Sequence, residues 1–427
     1  MKLTASAGLH GSITVPGDKS ISHRAVMLGA LADGDTHISG FLMGEDCLST
    51  IDCFRKMGVP IDCSAKEVVV HGVGLHGLRE PEGQLYTGNS GTTTRLISGI
   101  LAAQPFPVTL TGDASIEKRP MGRIITPLRK MGADIDGRDG KFCPLSIRPA
   151  ALHGITYEMP VASAQLKSAI LLAGLYADGP TAVIEPAPSR DHTERMLRAL
   201  GAAVGSDGCK VTIHAPDTLR ACDIEVPGDI SSAAFFLVAG AIVPDSELTI
   251  RNVGMNPTRD GVVEVLRAMG ADLAVSNVRD SAEPVADLTI RSSKLHGTEI
   301  SGGMIPRLID ELPVLAVAAA FAEGETVIRD ARELKVKESN RIAAMAAELN
   351  RAGADCTETE DGMMLRGGKP LHGAAFESYN DHRVAMSMAV LALAAAGESE
   401  ILNPEVVSIS YPGFFDALRA IGGSIWY

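Results

Sequence analysis

Several short segments of this chain gather groups suited to holding small anions and moving protons. "PGDKSISHR" (16–24) sets Lys19, Ser20 and Arg24 just after a Pro-Gly turn. "GNSGTTTR" (88–95) carries Asn89, Gly91 and Arg95, and "SAQLKSA" (163–169) carries Ser163, Ala164, Gln165 and Lys167. "EKRPMGR" (117–123), "SRDHTERM" (189–196), "KVKESNR" (335–341) and "NDHRVAMS" (380–387) add Arg119, Arg190, Lys337, Arg341 and Arg383. Many of these residues stand where a polar stretch gives way to an apolar run, which marks the start of a helix. Helix N-termini expose unpaired N–H groups and the positive end of the dipole, so they attract anions and repel side-chain cations. Cations crowded there need a compensating negative charge, and a bound phosphate or carboxylate would supply it. The segment 117–123 reads as a loop before a helix. The segment 335–341 reads as the start of another, with Lys337 and Arg341 at i, i+4 on one face and Glu338 between them. Taken alone, a solvated face with local ion pairs explains that segment equally well.

Other patterns carry less. "GVGLHG" (72–77) satisfies G-x-G-x-x-G after a strand-like run, but Pro81 and Gly83 stand where a dinucleotide-binding helix should begin. Ser163 and Lys167 are four apart, not the three of S-x-x-K. The 11 histidines show no metal-binding spacing, so no metal is expected. His382 reads as a helix-start or packing residue.

The elements that must position these groups are repetitive. Six amphipathic helices each end in a glycine, at Gly58, Gly132, Gly201, Gly270, Gly353 and Gly422, spaced 74, 69, 69, 83 and 69 residues apart. Gly there is the expected C-terminal cap. Each is preceded by a polar start and a run of small and apolar residues, as in "SISHRAVMLGALADG" and "DISSAAFFLVAGAI". These runs are apolar almost all round, so they should be buried helices. Asp139-Gly140, Asp207-Gly208 and Asp361-Gly362 predict two-residue hairpin turns. The whole reads as six β-α-β-α-β-β repeats of about 70 residues. "VPGD" occurs at 15–18 and again at 226–229, three repeats apart. That spacing predicts a hinge near 15–19 and 226–229, crossed twice. It divides the chain into one domain of residues 19–226 and another of residues 1–18 with 227–427.

Composition sets the outer bounds. A chain of 427 residues fits two domains of about 200. A net charge of -13 argues against nucleic acid or an anionic membrane as partner. The seven cysteines form no C-x-x-C pair, which fits reduced thiols in a cytoplasm. The N-terminal stretch lacks the apolar core of a signal peptide, and the apolar runs are too short to span a bilayer. A cytoplasmic protein is expected.

The order and spacing of these segments resemble the 5-enolpyruvylshikimate-3-phosphate synthase family over the full length. "SAQLKSA" and "SRDHTE" look like the branch typical of many bacteria. The resemblance implies an α/β, two-domain inside-out barrel, with three repeats per domain, helices buried and sheets outward, closing around substrates at the hinge. It implies transfer of the carboxyvinyl group of phosphoenolpyruvate to the 5-hydroxyl of shikimate 3-phosphate, without a cofactor, by a monomer. By that resemblance Asp310, in "LIDELPV", is the base, and Glu338 and Lys19 are the candidates for proton transfer. Lys19, Ser20, Arg24, Ser163, Ala164, Gln165, Arg190, Asp310 and Lys337 would hold shikimate 3-phosphate. Lys19, Asn89, Gly91, Arg119, Gln165, Arg341 and Arg383 would hold phosphoenolpyruvate, with Gly91 leaving room for backbone approach and for the inhibitor glyphosate.

Two positions depart from the pattern. Ala164 stands where some members have a second Ser, and Ile409 stands where the plant-like branch has a Lys. A related family uses UDP-N-acetylglucosamine as acceptor and carries a reactive cysteine before the conserved Arg-Pro. Ala114 occupies that place here, and the nearest cysteine is Cys143. A non-catalytic anion binder with the same repeats would have no need for Lys19, Asp310 and Glu338 among its cations.

Overall fold

A computed structural model describes residues 1–64, 67–279 and 282–426. Its strands form six four-stranded sheets, built on one plan. Leu85–Tyr86 runs parallel to Val108–Thr111, which pairs antiparallel with Phe142–Arg148, itself antiparallel to Asp134–Arg138. The parallel pair is what demands a helix: strands running the same way need a crossover, and Gly91–Leu101 provides it.

Six helices of this kind are buried, Lys19–Leu31, Gly91–Leu101, Ala164–Gly174, Ile230–Ile242, Leu312–Phe321 and His382–Ala392, and all but the first and fourth join parallel strands of one sheet. Every residue from Ile230 to Ala241 is buried, because a helix apolar around its circumference has no face to give to water. Their small residues permit close approach. A Cβ on Gly99 would lie 2.1 Å from the carbonyl oxygen of Ala169 on the neighbouring inner helix. The six amphipathic helices each end at their glycine with φ between 86° and 105°. That is the left-handed conformation a β-carbon disfavours.

The chain divides into two compact units, Gly17–Val226 and Met1–Pro16 with Pro227–Tyr427, and each has its own apolar core. The repeats are spliced at the two "VPGD" stretches. His10–Thr14, which leads into the first, pairs in parallel with Glu247–Gly254, which follows the second. Ile224–Glu225, which leads into the second, pairs in parallel with Asp33–Ser39, which follows the first. Each copy therefore joins a strand of one unit to a buried helix of the other. The first copy is also tightly packed: a Cβ on Gly17 would sit 1.9 Å from the carbonyl oxygen of Gly40. Lys2–Thr4 completes the last sheet, between Glu398–Ile401 and Ile425–Trp426.

The three expected hairpins form, but two of the loops are longer than two residues and the third, of two residues, is shifted by one. Arg138 pairs with Phe142, which leaves three residues in the first loop. Asp207 itself pairs with Lys210, so the two-residue loop is Gly208-Cys209. Glu358 pairs with Met363, leaving four residues in the third. Strand register, set by which faces are buried, overrode the local turn preference.

Candidate active site

In the unit Gly17–Val226, three buried helices begin side by side with polar caps. Asp18 accepts from the Ile21 N–H at 2.9 Å, Ser90 from Thr93 at 3.1 Å and Ser163 from Leu166 at 3.4 Å. Lys19 opens the first helix, and its Nζ lies 3.0 Å from Asp46 Oδ2. Asp46 thus answers the dipole's repulsion of Lys19 from inside the protein. Arg95 Nη1 donates to Gln165 Oε1 at 2.8 Å, and Gln165 Nε2 donates to Thr92 Oγ1 at 3.0 Å. Arg119 Nη2 donates to Asn89 Oδ1 at 2.8 Å and to Ser115 Oγ at 3.1 Å. The two guanidinium groups converge on Gly91, where a Cβ would meet Arg95 Nη1 at 2.7 Å and Arg119 Nη1 at 3.1 Å. Ser20, Ala164 and Arg190 are half-buried near the starts of their helices.

Arg24 lies a turn deeper and is buried. Its guanidinium donates to Thr193 Oγ1 at 2.6 Å, Ser168 Oγ at 2.8 Å and the Ser20 carbonyl at 2.8 Å. It ties the first inner helix to the third and to the outer helix His192–Ala199. His23, beside it, is fully buried, and burial, with Lys19 and Arg24 nearby, holds its pKa well below the ordinary value. Its ring is therefore neutral, and Nδ1 lies 2.7 Å from Thr50 Oγ1. Lys167 does not belong with the ligand-facing cations. It is buried between Glu185 at 2.8 Å and Glu194 at 2.7 Å.

In the other unit, Asp310 occupies the turn between Ile305–Leu308 and Leu312–Phe321. Its Oδ1 lies 3.3 Å from Lys337 Nζ and 3.2 Å from Arg341 Nη1. Lys337 and Arg341 do not share a helical face, contrary to the sequence expectation. Residues Arg332–Val336 form a 3-10 segment, Lys337 is extended, and the helix begins only at Arg341. Asn340 caps it by accepting from the Ala343 N–H, an arrangement Asn favours over continuing the helix backward. The two cations meet at Asp310 instead.

Arg341 is the centre of this half. It is buried, and four hydrogen bonds carry its donors to three carboxylates: Asp310 at 3.2 Å, Glu338 at 2.5 Å, and Asp381 at 2.8 and 3.2 Å. Burial works against its charge, but Asp381, then Glu338 and Asp310, outweigh it and raise its pKa. Asp381 also accepts from Ser339 Oγ at 2.9 Å and from the Arg383 N–H at 2.9 Å, capping the helix that Arg383 opens. Arg383 is buried, with its guanidinium 5.8 Å from the Phe235 ring centre. Its Nη1 has no hydrogen-bond partner among the described residues. A buried charged donor left unmatched is costly, and an anion would satisfy it.

Asp46 and Asp381 were given no role by sequence reasoning, and Arg95, read as a cation at a helix start, was assigned to neither substrate; the structure puts each in contact with a candidate residue. Asp381 and Arg95 lie inside the quoted segments, which was the only signal. Nothing local marks Asp46, which faces Lys19 across 27 residues. Cys143 is buried in the strand Phe142–Arg148, and burial pushes its thiol up to about 11, which makes it inert as a nucleophile near neutral pH.

Known proteins match this chain closely. The family profile described as EPSP synthase (3-phosphoshikimate 1-carboxyvinyltransferase) matches residues 3–418. A 3-phosphoshikimate 1-carboxyvinyltransferase of Geobacillus kaustophilus is 59% identical over 98% of this chain and 99% of its own. That of Brevibacillus brevis is 56% identical over 99% of each. The solved EPSP synthase of Acinetobacter baumannii superposes with a TM-score of 0.88 at 49% identity, covering 98% of this chain and 97% of that one. The enolpyruvyl transferase NikO of Streptomyces tendae, 19% identical, shares the fold with a TM-score of 0.81 over 99% of this chain and 97% of its own.

Proposed function

The chain belongs to the EPSP synthase family and is a 3-phosphoshikimate 1-carboxyvinyltransferase of the shikimate pathway, acting on shikimate 3-phosphate and phosphoenolpyruvate, and from that premise we propose how its residues divide the work. The reaction adds the 5-hydroxyl of shikimate 3-phosphate to C2 of phosphoenolpyruvate while C3 gains a proton. The tetrahedral adduct then loses phosphate and a methyl proton. This calls for a base at the hydroxyl, a group that can give and then take a proton near C3, and cations for two phosphates and two carboxylates.

Asp310 is the base, and Glu338 with Lys19 moves the other protons. One observation carries this reading: a single buried guanidinium, Arg341, gathers Asp310 and Glu338, which are distant in sequence, onto one point. Arg341 then acts chiefly by holding those carboxylates. Arg383, with its unmatched Nη1, is the stronger direct ligand for phosphoenolpyruvate. Lys19, Asn89, Gly91, Arg119 and Gln165 complete that site, the last four through the guanidinium cluster around Gly91. Lys19, Ser20, Ser163, Ala164, Gln165, Arg190, Asp310 and Lys337 hold shikimate 3-phosphate. Arg24 serves that site from below, through Ser20 and Thr193.

The two "VPGD" stretches, at which the chain passes from one unit to the other, serve as the hinge. The enzyme works as a monomer in the cytoplasm, where its seven cysteines, none of them in a disulfide among the described residues, stay reduced. Among the described residues, no helix is long and apolar enough to cross a membrane.

Asp310→Asn tests the central assignment. It should bind shikimate 3-phosphate within a few-fold of the wild type while turnover, followed by phosphate release, falls by about 10²–10⁴. Full turnover in that variant removes Asp310 as the base.

A further inference from the structure

Lys167 is a buried cation that the proposed reaction does not use. Lys167 lies one turn into the helix that begins with Ser163, Ala164 and Gln165, and its side chain is 2% exposed. Its Nζ meets Glu185 Oε2 at 2.8 Å, Glu194 Oε1 at 2.7 Å and the carbonyl of Ser189 at 3.2 Å. Glu185 closes the strand Thr181–Ile184, and Glu194 lies in the first turn of His192–Ala199. The hydroxyl of Ser189 donates to Glu185 Oε1, and its N–H reaches Glu185 Oε2 at 3.5 Å. The segment between, Pro186-Ala187-Pro188-Ser189-Arg190, is thereby folded back onto the lysine.

Stability alone does not explain this cluster. Two carboxylates and one ammonium in an apolar interior cost more than well-packed apolar residues of the same volume would. One oxygen, Glu194 Oε2, is buried with no hydrogen-bond partner among the described residues. What the cluster does provide is a fixed distance between the start of one helix and the residue that follows Ser189.

We propose that Lys167 is a positioning residue for shikimate 3-phosphate, locking the 185–191 loop so that Arg190 is held in register with Ser163 and Gln165. This rests on the assignment of those three residues to the shikimate 3-phosphate site. Lys167 itself touches no substrate. It acts by removing the freedom of the loop before the ligand arrives, so its loss appears as weaker binding of one substrate.

The test is a double-mutant cycle on shikimate 3-phosphate affinity, measured by calorimetry, with the KM for phosphoenolpyruvate read at saturating shikimate 3-phosphate. Lys167→Met should weaken shikimate 3-phosphate binding about tenfold and move the phosphoenolpyruvate KM less than about twofold. Lys167→Met combined with Arg190→Ala should bind no worse than Arg190→Ala alone, because the lysine acts through the arginine. Additive losses, or an unchanged affinity in Lys167→Met, overturn the proposal. Normal affinity in Arg190→Ala shows instead that the assignment of Arg190 is wrong, and the proposal falls with it. If Lys167→Met does not fold, Ser189→Ala, which removes only the hydroxyl bond to Glu185, decides. It should weaken binding about threefold beside Arg190 and not at all in Arg190→Ala; equal losses in both backgrounds refute it.

Discussion

Replacing Asp381 by Asn isolates the buried ion-pair network from the chemistry it supports. Asp381 is fully buried and accepts four hydrogen bonds, from Arg341 Nε and Nη2, Ser339 Oγ and the Arg383 N–H. Asn keeps one acceptor oxygen and turns an NH₂ toward donors, so one contact becomes donor against donor if the NH₂ takes the Oδ2 place, where Ser339 can turn to accept, and two if it takes the Oδ1 place. Breaking a buried ion pair by removing one partner costs about 3–5 kcal/mol. Asp310 and Glu338 remain on Arg341, which keeps the loss near about 3 kcal/mol. In a unit of some 200 residues that lowers Tm by about 10 °C.

The loss carries a pH signature. Burial by itself would raise the Asp381 pKa, but Arg341 outweighs it and holds the carboxyl below the usual carboxylate range. A depressed native pKa stabilises the fold above the unfolded value, about 3.9 for Asp. That stability disappears as pH falls through the lower native value. The gap between wild type and Asp381→Asn should therefore stay constant from about pH 8 to 5 and narrow below about pH 4. Thermal and urea unfolding followed by circular dichroism measure both. A Tm change under about 2 °C, or a gap that persists unchanged into acid, refutes the reasoning.

Two further expectations follow from the geometry. Gly91→Ala should raise the KM for phosphoenolpyruvate about tenfold with shikimate 3-phosphate affinity intact, because its Cβ displaces the guanidinium groups of Arg95 and Arg119; steady-state kinetics on each substrate read this, and an unchanged KM removes those two groups from the phosphoenolpyruvate site. Gly17→Ala should destabilise the protein by about 3 kcal/mol or more, since the Cβ would fall inside the Gly40 carbonyl; wild-type unfolding in urea would show that the "VPGD" stretch yields freely.

Much of the architecture was legible before any coordinates. Six glycines at helix ends, six apolar helices with polar starts and the strand patterns are local features. Each is determined by a few neighbouring residues through backbone strain, capping and burial. The register of the hairpins was not, because the turn's own preference is worth less than burying the correct strand face. The same limit explains Lys337 and Arg341: their spacing suggested a shared helix face, whereas Asn340 starts the helix later and Asp310 brings the two together.

The sequence by itself determined the repeat, the family and the roll of candidate cations, because those depend on residue type and order along the chain. Only the tertiary structure decided what each cation answers to. Lys19 meets Asp46, Lys167 meets Glu185 and Glu194, and Arg341 meets Asp310, Glu338 and Asp381. It also decided that the strand before each "VPGD" belongs to the sheet that follows the other copy. The physical reason is the same in each case. Charge pairing in a desolvated interior is settled by distance in space, and most of these partners lie well beyond one helical turn in sequence.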